Sequence, residues 1–575
     1  MKTFRRALAE KNNDPAKRRW LYVPYDQLSA AVGPLSREDP HETGIVLVEC
    51  PAKAARRPYH KQKLAFILAN QRQFALEQAT RGVAVRYEVE PKGYREAIEG
   101  VFAETGPLRM MNPAERELRL EMAPCIDAGQ IECIAHEGWM TGPDLFARAF
   151  PKGPPWKMDA FYRLARKESG ILMEGDAFAG GKVSFDTENR KPWKGTPPAP
   201  VFPTFSADEI TSEVLALVES RYAAHPGQLD AGQLPTTAED AERLWHFVLE
   251  HCLPHFGPFE DAMSVRSTTL FHTKISPLLN VHRLLPGRVV ADVEKCEAAS
   301  LASREGFIRQ ILGWREFMRH IHVETDGFRD IPVGNAKTAQ KRCAGQQPCA
   351  DDAGDGGFAR WQKTQSEGAA KPHAFKATGQ GEKELGGSLS SFLDAEEPVP
   401  LAYWGQESGL SCLDHVVADV WREGWTHHIP RLMILSNFAT LLDLSPRALA
   451  DWFWVAYVDA FDWVVEPNVM GMGTFGLGEL FVTKPYVSGA AYIDRMSDYC
   501  KTCDFHPKKN CPVTSMYWAF LDRKSEKLQG NPRVAMPLRS LVKRGEDKRA
   551  ADRKTAERVQ LALRDGKRLL PSDFS

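Results

Sequence analysis

Three cysteines lie close together near the end of the chain, in the segment YCKTCDFHPKKNCP at residues 499–512. Cys500 and Cys503 have the CxxC spacing of metal and redox sites, and Cys511 precedes a proline. Eleven cysteines in a chain without a secretion signal are expected to be reduced thiols or ligands. With Cys412 upstream, four thiolates would suit zinc or a [4Fe–4S] cluster. The spacing leaves both open, beside free cysteines buried near a turn.

Two adjacent histidines, His427 and His428, begin an apolar helix in GWTHHIPRLMILSNF. Neighbouring side chains on a helix point in different directions, so at most one of them shares a face with Arg431. The pair suits a capped helix start with one exposed imidazole. It equally suits a proton donor, because the pKa of an imidazole lies near neutrality.

The segment DWFWVAYVDAFDWV at residues 451–464 is dense in aromatic side chains, which is typical of a buried core. Asp459 and Asp462 interrupt it, although the segment is otherwise too apolar to face solvent. A buried carboxylate needs a cationic or hydrogen-bonding partner. We predict that Arg431 is the partner of Asp459.

The composition is that of an ordinary globular protein, with 43% hydrophobic and 26% charged residues and a formal net charge of −1. Any polyanion must therefore meet a local basic surface, since the whole molecule presents no attractive field. No apolar run approaches the roughly 18 residues of a membrane span, and the first residues lack the apolar core of a signal peptide. We expect a cytoplasmic protein with a basic, mobile extension over residues 1–19.

Residues 20–140 alternate short apolar runs with helical stretches, which predicts a Rossmann-like α/β domain with a parallel sheet. The strands are WLYVPYDQL, GIVLVEC and VAVRYEV, and the segment KQKLAFILANQRQFALEQATRG is a helix closed by glycine. No GxGxxG motif follows the first strand, so dinucleotide binding there has no motif support. Residues 141–205 are rich in glycine and proline and read as an irregular linker between domains.

Helical periodicity dominates from residue 206 onward, which predicts an all-α domain over 206–537. Residues 326–397 are heavy in Gly, Lys, Gln, Ala and Ser and are interpreted as an inserted surface loop. Residues 538–575 form a basic tail with interspersed acids, typical of a solvated helix.

Several segments together resemble the prokaryotic iron–sulfur branch of the photolyase/cryptochrome family, which contains the bacterial (6-4) photolyases. They are WREF, HHIPRLM, YVDAFDWV, NVMGMGTFG, TKPYVSGAAYIDRMSDYCKTC and CPVTSMYWAFL. The resemblance covers about residues 20–537 apart from the insertion. It implies an α/β domain followed by an all-α FAD-binding domain, and a monomer that acts on UV-damaged DNA. The implied reaction is light-driven repair of (6-4) pyrimidine–pyrimidone photoproducts by electron transfer from reduced FAD.

The resemblance also implies roles for individual residues. For FAD it implies His272, Ser276, Asn280, Trp314, Arg315, Arg431 and Asp459. For electron transfer it implies Trp452 and Trp404, and for catalysis at the lesion His427, His428, Tyr486 and Met472. For DNA it implies Asp186 and Arg190, and for a [4Fe–4S] cluster Cys412, Cys500, Cys503 and Cys511.

Three positions depart from the family pattern. Val465 stands where the branch commonly has a glutamate, and Glu466 follows one place later. The stretch SVRSTT lacks the acidic residues expected near the lesion. Lys53 and Arg56 stand where the lumazine antenna site is expected to have an acid and an aromatic residue, so a lumazine-type antenna is only a possible cofactor.

Two other functions compete with DNA repair. One is a blue-light-sensing cryptochrome of the same fold that signals without repairing. The other, from a different class, is a zinc-stapled nucleic-acid-binding protein, which would be colourless.

Overall fold

The N-terminal half is built on five parallel strands in the order β3-β2-β1-β4-β5. The computed structural model describes residues 1–330, 388 and 390–574. β2 is buried along its whole length, as expected for a strand covered by helices on both faces. The predicted α/β domain with a parallel sheet is thus confirmed.

The elements of this half alternate along the chain. They are α1 (Lys2–Lys11), β1 (Arg19–Tyr22), β2 (Thr43–Glu49), α2 (Pro51–Arg56), α3 (Lys61–Thr80), β3 (Ala84–Val89), α4 (Tyr94–Thr105), β4 (Leu108–Met111), α5 (Arg116–Asp127) and β5 (Ile131–Ile134).

The expectation of a mobile N-terminal extension is wrong. Helix α1 packs with Phe4 fully buried and Leu8 nearly so. The terminal ammonium group lies 2.6 Å from the carboxylate of Glu213. The same carboxylate accepts the backbone N–H groups of Thr3 and Phe4. Burial of two apolar side chains and this N-terminal cap hold the segment in place.

The expectation of an irregular linker at 141–205 is also wrong in part. Two helices form there, α6 (Pro143–Ala149) and α7 (Met158–Ser169), followed by a small antiparallel pair, β6 (Met173–Glu174) and β7 (Ala177–Phe178). Phe161 and Tyr162 on α7 are buried. The high glycine and proline content obscured an amphipathic helix that packs on the helical half.

The C-terminal half is helical, as predicted. Its helices are α8 (Glu209–Arg221), α9 (Ala238–Phe247), α10 (Leu253–Phe256), α11 (Ser276–Asn280), α12 (Pro286–Glu294), α13 (Leu301–Ile308), α14 (Glu316–Glu324), α15 (Ser411–Glu423), α16 (Asn437–Leu441), α17 (Pro446–Ala456), α18 (Asp462–Val465), α19 (Ala490–Met496), α20 (Pro512–Arg523), α21 (Ser525–Leu528), α22 (Ala535–Val542) and α23 (Glu546–Arg564). Side chains cap several of them: Ser445 precedes α17, and Thr237 forms a capping box at α9.

Four π-helical segments interrupt these helices, at Val248–Cys252, Arg309–Arg315, Pro430–Ser436 and Glu466–Gly473. A π turn adds a residue to the helical repeat and re-aims the side chains around it, and such turns are common at functional sites. The last three carry side chains of the cavity described below.

The C-terminal tail is not a freely solvated helix. Along α23, Ala556, Val559 and Leu563 are buried, and Arg553 forms an ion pair with Asp522 of α20. One face of the helix therefore packs on the domain.

Most of the proposed insertion lies outside the described residues, but both of its edges belong to the folded domain. Arg116 pairs with Asp326 at 2.7 Å, Phe328 is fully buried, and Leu393 is 1% exposed. No helix in the described part of the chain is long and apolar enough to cross a membrane.

The two halves are joined by polar contacts to buried backbone. Asp462 accepts the N–H of Arg116 at 2.6 Å and that of Glu117 at 3.3 Å, which caps the start of α5 from the opposite domain. Lys63 donates from α3 to the carbonyls of Trp454 and Ala460. Asp462, the second carboxylate of the aromatic segment, thus satisfies backbone amides.

Candidate flavin cavity and cysteine cluster

A deep cavity in the helical half gathers the residues predicted to bind a flavin. Its walls include His272, Ser276, Asn280, Trp314, Arg315, His427, His428, Arg431 and Asp459. They come from α11 and the loop before it, from the π-helical segments at 309–315 and 430–436, from the residues just before the second of these segments, and from the turn between α17 and α18. Residues 150 positions apart in the sequence therefore share one wall.

Asp459 is the centre of a hydrogen-bonded set. Its two carboxylate oxygens face the guanidinium of Arg431 at 3.0 and 2.9 Å, a bidentate pair. Ser276 donates its hydroxyl to the same carboxylate at 2.6 Å, and Asn280 donates to the backbone carbonyl at 2.8 Å. The partner predicted for this buried aspartate is present. Trp425, which sequence reasoning missed, donates to Ser276 and lines the cavity.

The Arg315 guanidinium closes the cavity from another side. It is buried, lies over the rings of Trp139 at 4.1 Å and Trp463 at 5.1 Å, and donates to the carbonyl of Leu279. Burial lowers its pKa to about 10. The side chain still carries its charge at neutral pH, so the cavity has a second fixed cation beside Arg431.

Three imidazoles converge on the cavity. His272 and His427 stack with ring centroids 4.0 Å apart and planes at 12°, and His428 stands edge-on to His272. His272 donates through Nε2 to the carbonyl of Glu260. Of the two alternatives for the tandem histidines, the capped helix start with one exposed imidazole is not found, since His427 is buried, His428 is half-buried and both line the cavity. The ligand atoms of all three histidines lie within 4.8 Å of one another. The rings of His272 and His427 are stacked face to face, however, whereas imidazoles that bind one metal ion point their nitrogen atoms at it.

Burial lowers the pKa of all three imidazoles. For His428 the pKa falls to about 4, with the nearby Arg431 cation contributing after burial. The pKa of His427 lies well below its usual value, through burial and then the neighbouring His272 and His428. The Nδ1 atom of His427 is buried without a hydrogen-bond partner. These imidazoles are thus neutral at pH 7 before any anion enters.

The residues predicted to contact DNA, Asp186 and Arg190, belong to a separate group of acidic and basic side chains. Arg190 pairs with Asp186, and Arg309 lies 3.3 Å from the other oxygen of that carboxylate. Asp261 faces Arg190 at 3.9 Å, and burial raises the pKa of Asp261 to about 6. Glu260 accepts a hydrogen bond from Gln310 at 2.7 Å.

Glu260 and Asp261 are two acidic residues just before the stretch SVRSTT. Tyr486 is part of this group, since Asp186 and Arg190 act on its pKa. Met472 is half-buried on the π-helical segment at 466–473. Neither Tyr486 nor Met472 is among the cavity's lining residues.

The position of Val465 has a clear structural outcome. Val465 and Glu466 are both buried, and the Glu466 carboxylate is engaged in contacts within the chain. It lies 2.8 Å from His322, 2.6 Å from Arg447 and 3.2 Å from Arg329. The guanidinium groups of Arg329 and Arg447, together with the hydrogen bond from His322, hold the pKa of Glu466 far below its usual range despite burial.

Trp452 and Trp404 belong to a connected row of aromatic rings. Trp404 stacks on Trp421 at 5.5 Å, Trp421 meets Trp452 edge-on at 5.9 Å, and Trp452 lies 6.2 Å from Tyr457. The Arg431 guanidinium covers Tyr457 at 4.1 Å. Trp421, which sequence reasoning missed, lies between the two predicted tryptophans.

The four cysteines converge from three places in the chain. Cys412 is buried on α15, Cys500 and Cys503 lie in the turn after α19, and Cys511 directly precedes α20. Burial, and then the other three cysteines, raises the pKa of Cys412. Among the described residues, no three of these four cysteines have their sulfur atoms all within 4.8 Å of one another. A tetrahedral zinc with Zn–S bonds of about 2.3 Å would need sulfurs roughly 3.8 Å apart.

A second cavity lies at the carboxyl edge of the sheet, where doubly wound sheets bind ligands. Tyr25, Tyr94, Trp454 and Phe461 supply aromatic walls, and Lys53 lies at its rim. Lys53 is tied to Glu115 at 3.1 Å and Glu117 at 2.6 Å, and Arg57 covers Trp454. Arg56 also pairs with Glu117 at 3.2 Å. The two basic residues that depart from the family pattern are thus neutralised within the chain.

Comparison with known proteins finds a relative that matches most of this chain. A protein named (6-4) photolyase from Agrobacterium fabrum (strain C58 / ATCC 33970) is 31% identical over 541 residues, which cover 91% of this chain and 95% of that protein. The family model described as deoxyribodipyrimidine photo-lyase-related protein matches residues 21–234. Uncharacterized protein R855 of Acanthamoeba polyphaga mimivirus is 30% identical over 102 residues, which cover 18% of this chain and 80% of that protein.

Two solved structures can be superimposed on this chain, each with a TM-score of 0.48. A bacterial class III photolyase from Agrobacterium tumefaciens has a TM-score of 0.48 and 12% identity, and covers 96% of this chain and 99% of that one. A cryptochrome from Synechocystis sp. PCC6803 has a TM-score of 0.48 and 14% identity, and covers 80% and 83%. Sequence identity along nearly the full length of both proteins carries the assignment. The chain belongs to the photolyase family.

Proposed function

We propose that this protein is a DNA photolyase that uses light and reduced FAD to repair (6-4) photoproducts. The observation that carries the proposal is the bidentate Arg431–Asp459 pair in the wall of a cavity that also holds the two tandem histidines. A fixed cation, a buried carboxylate and two proton carriers in one cavity suit electron and proton transfer to a flipped-out base. Membership in the photolyase family supports the same function.

The cavity residues fit a flavin. Asp459 and Arg431 present an acceptor and a donor to a ring, Ser276 and Asn280 hold Asp459 in place, and Trp314 adds an aromatic wall. The unpartnered Nδ1 of His427 is a hydrogen-bonding atom left for a ligand. When bound, reduced FAD supplies the light-excited electron. The protein residues orient the ring, exclude water and separate the lesion from the aromatic row.

The histidines would donate a proton to the lesion and recover it as the two pyrimidines re-form, since repair has no net uptake of protons. Both imidazoles are neutral in the empty cavity, because burial and nearby cations disfavour the imidazolium. DNA phosphates bring negative charge, which favours protonation of a nearby imidazole. His428 is half-buried and lies in the field of Asp186, which already favours its charged form. DNA binding would thus charge the donor at the moment the lesion arrives.

Damaged DNA would meet the group around Asp186, Arg190 and Arg309. Arg190 is largely exposed and can release Asp186 to pair with a phosphate. Tyr486 lies in the same electrostatic neighbourhood. Trp452 and Trp404, bridged by Trp421, would pass an electron inward to an oxidised flavin held in the cavity, and the row would then regain that electron from outside.

The four cysteines would hold a [4Fe–4S] cluster. Their wide sulfur spacing favours a cluster over a single zinc ion, whose thiolates stand much closer together. The cluster would tie α15 to the start of α20. Iron and sulfide analysis with an absorption spectrum separates the two: a brown protein with iron supports the cluster, and a colourless protein with zinc supports a zinc staple.

The cavity at the sheet edge would hold an antenna chromophore. Its aromatic walls fit a planar ring, and the neutralised Lys53 and Arg56 place no free charge against it. A lumazine-type chromophore remains compatible with these walls. Mass spectrometry of the heat-released cofactors identifies the bound molecule.

One observation favours a second function, light sensing without repair. Val465 leaves an apolar side chain where the branch commonly has a glutamate, and Glu466 is locked in its ion pairs. The test is light-dependent restoration of a (6-4) photoproduct in an oligonucleotide, with flavin photoreduction recorded in the same sample. Restoration supports the photolyase, whereas photoreduction without restoration supports the sensor.

A further inference from the structure

A solvent-open cavity lies at the outer end of the aromatic row. Its volume is about 510 Å³, and its walls include both Trp404 and Trp421. Trp404 is 3% exposed and Trp421 is half-buried, so the two rings meet the outside chiefly through this cavity. The volume is within the range of small-molecule sites.

The row leads from this cavity to the flavin cavity. Trp421 and Trp452 both donate their indole N–H to the carbonyl of Tyr403, at 2.9 and 3.0 Å, which fixes their mutual geometry. Tyr457 then bonds to the hydroxyl of Thr426, a residue of the flavin-cavity wall, at 2.9 Å. Two cavities about four rings apart are therefore joined by groups that can carry a radical.

The polar groups of the outer cavity are unevenly charged. Asp414 and Glu407 line it, together with the exposed amide of Gln228. The only guanidinium in the described lining is that of Arg422, which is already paired with Asp419 and Glu423. Arg568 from outside pairs with Glu407 at 3.3 Å. Because the carboxylates of this cavity outnumber its unpaired cations, it disfavours an anionic ligand such as a carboxylate or a thiolate. A neutral ligand with O–H groups can instead donate hydrogen bonds to these carboxylates.

We infer that this cavity binds a small neutral aromatic diol of the hydroquinone class, which serves as the external reductant of the aromatic row. The inference rests on the proposed flavin photochemistry. The diol ring stacks on the indoles, and its hydroxyls donate to Asp414 and Gln228. One electron passes from the diol to the Trp404–Trp421 radical cation, and the phenolic proton passes to a carboxylate and then to water. Two of the resulting phenoxyl radicals disproportionate to one quinone and one diol.

Ala418→Leu tests the inference, because Ala418 is an exposed residue of α15 that lines the cavity and is not itself part of the aromatic row. The larger leucine side chain would fill part of the cavity. Ala103→Leu, at an exposed position of α4, is the matched control. Under constant blue light, the flavin reduction rate of the holoprotein should saturate with hydroquinone concentration. In Ala418→Leu the half-saturating concentration should rise at least about tenfold, a loss of about 1.4 kcal/mol of binding, and stay unchanged in the control.

Calorimetric titration of hydroquinone in the dark gives an independent readout. Binding should appear in the native protein and in Trp452→Phe, which breaks the row at a ring that does not line the cavity, and should weaken in Ala418→Leu. A reduction rate that rises linearly with hydroquinone and is identical in all cavity variants would overturn the inference. Failure of the proposed function gives a different result, since a protein without a photoreducible flavin shows no flavin reduction with any donor at any concentration.

Discussion

Two buried aspartates, Asp459 in the wall of the helical cavity and Asp26 next to Tyr25 of the sheet-edge cavity, are treated in opposite ways. Asp459 receives a bidentate guanidinium and a hydroxyl. Asp26, beside the sheet-edge cavity, accepts no hydrogen bond of ordinary geometry from another described residue, and burial raises its pKa to about 7. A buried carboxylate that is paired can stay ionised, and one that is unpaired takes up a proton instead. The helical cavity thus keeps an ion pair in its wall, whereas the carboxyl group of Asp26 retains its proton up to about pH 7.

The largest expected effect comes from removing the paired carboxylate. Asp459→Ala leaves Arg431 uncompensated, so the free energy of unfolding should fall by about 3–5 kcal/mol and the flavin should be lost. Denaturant unfolding and the flavin-to-protein absorbance ratio measure both. Asp159→Ala, at an exposed position, is the control. Retention of stoichiometric flavin in Asp459→Ala would contradict the role of the pair.

Asp26→Asn should raise the free energy of unfolding at neutral pH, whereas Asp459→Ala lowers it. The folded-state pKa of Asp26 is about 7, above the ordinary value of 3.8, so the folded protein binds more protons and its stability falls as pH rises between these values. The neutral amide removes this loss. Relative to the native protein, Asp26→Asn should gain up to about 4 kcal/mol between pH 4 and pH 7. Paired unfolding curves across that range decide it, and a constant difference would refute the assignment.

The proton donors of the helical cavity give a kinetic effect. His428→Gln should lower the light-dependent repair rate about 100-fold, because general acid catalysis contributes roughly that much or more. Flavin content should stay unchanged. His246→Gln, at an exposed position, should repair normally. Equal rates in both variants would remove His428 from the mechanism.

The smallest effect is expected at the rim of the sheet-edge cavity. Lys53→Met removes one cation from Glu117, which keeps Arg57 at 2.6 Å, so the free energy of unfolding should change by only about 1 kcal/mol. Flavin binding should not respond, since the helical cavity is separate. Lys92→Met on the surface is the control, and a drop in flavin content in Lys53→Met would show that the two cavities are coupled.

Much of the fold was accessible from local patterns. The strand GIVLVEC and the helix at 61–80 have clear periodicity and end signals, so their existence followed from sequence. The linker helix α7 was missed because glycine and proline around it masked its apolar face. Helix α1 was misjudged because charged residues surround Phe4 and Leu8, and only a partner surface shows that those two are buried.

The site was partly accessible too. A buried aspartate in an aromatic segment demands a partner, which pointed to Arg431 from physics alone. Trp421, Trp425, Glu260 and Asp261 were not found, because tryptophans and surface-type acids are common in helices and loops. A row of rings exists only when three helices cross, and no spacing within one segment reveals it.

The sequence by itself determined which residue types are available: four thiols, paired histidines, an apolar segment that must satisfy its carboxylates, and a match along the length of a (6-4) photolyase. Their roles depend on distance. Tertiary structure decided that both histidines face one cavity, that Glu466 is held by Arg447, Arg329 and His322, and that Asp26 goes unpaired among the described residues. Local sequence sets the preferences of each element, whereas charge pairing and electron transfer act through space, between segments that only packing brings together.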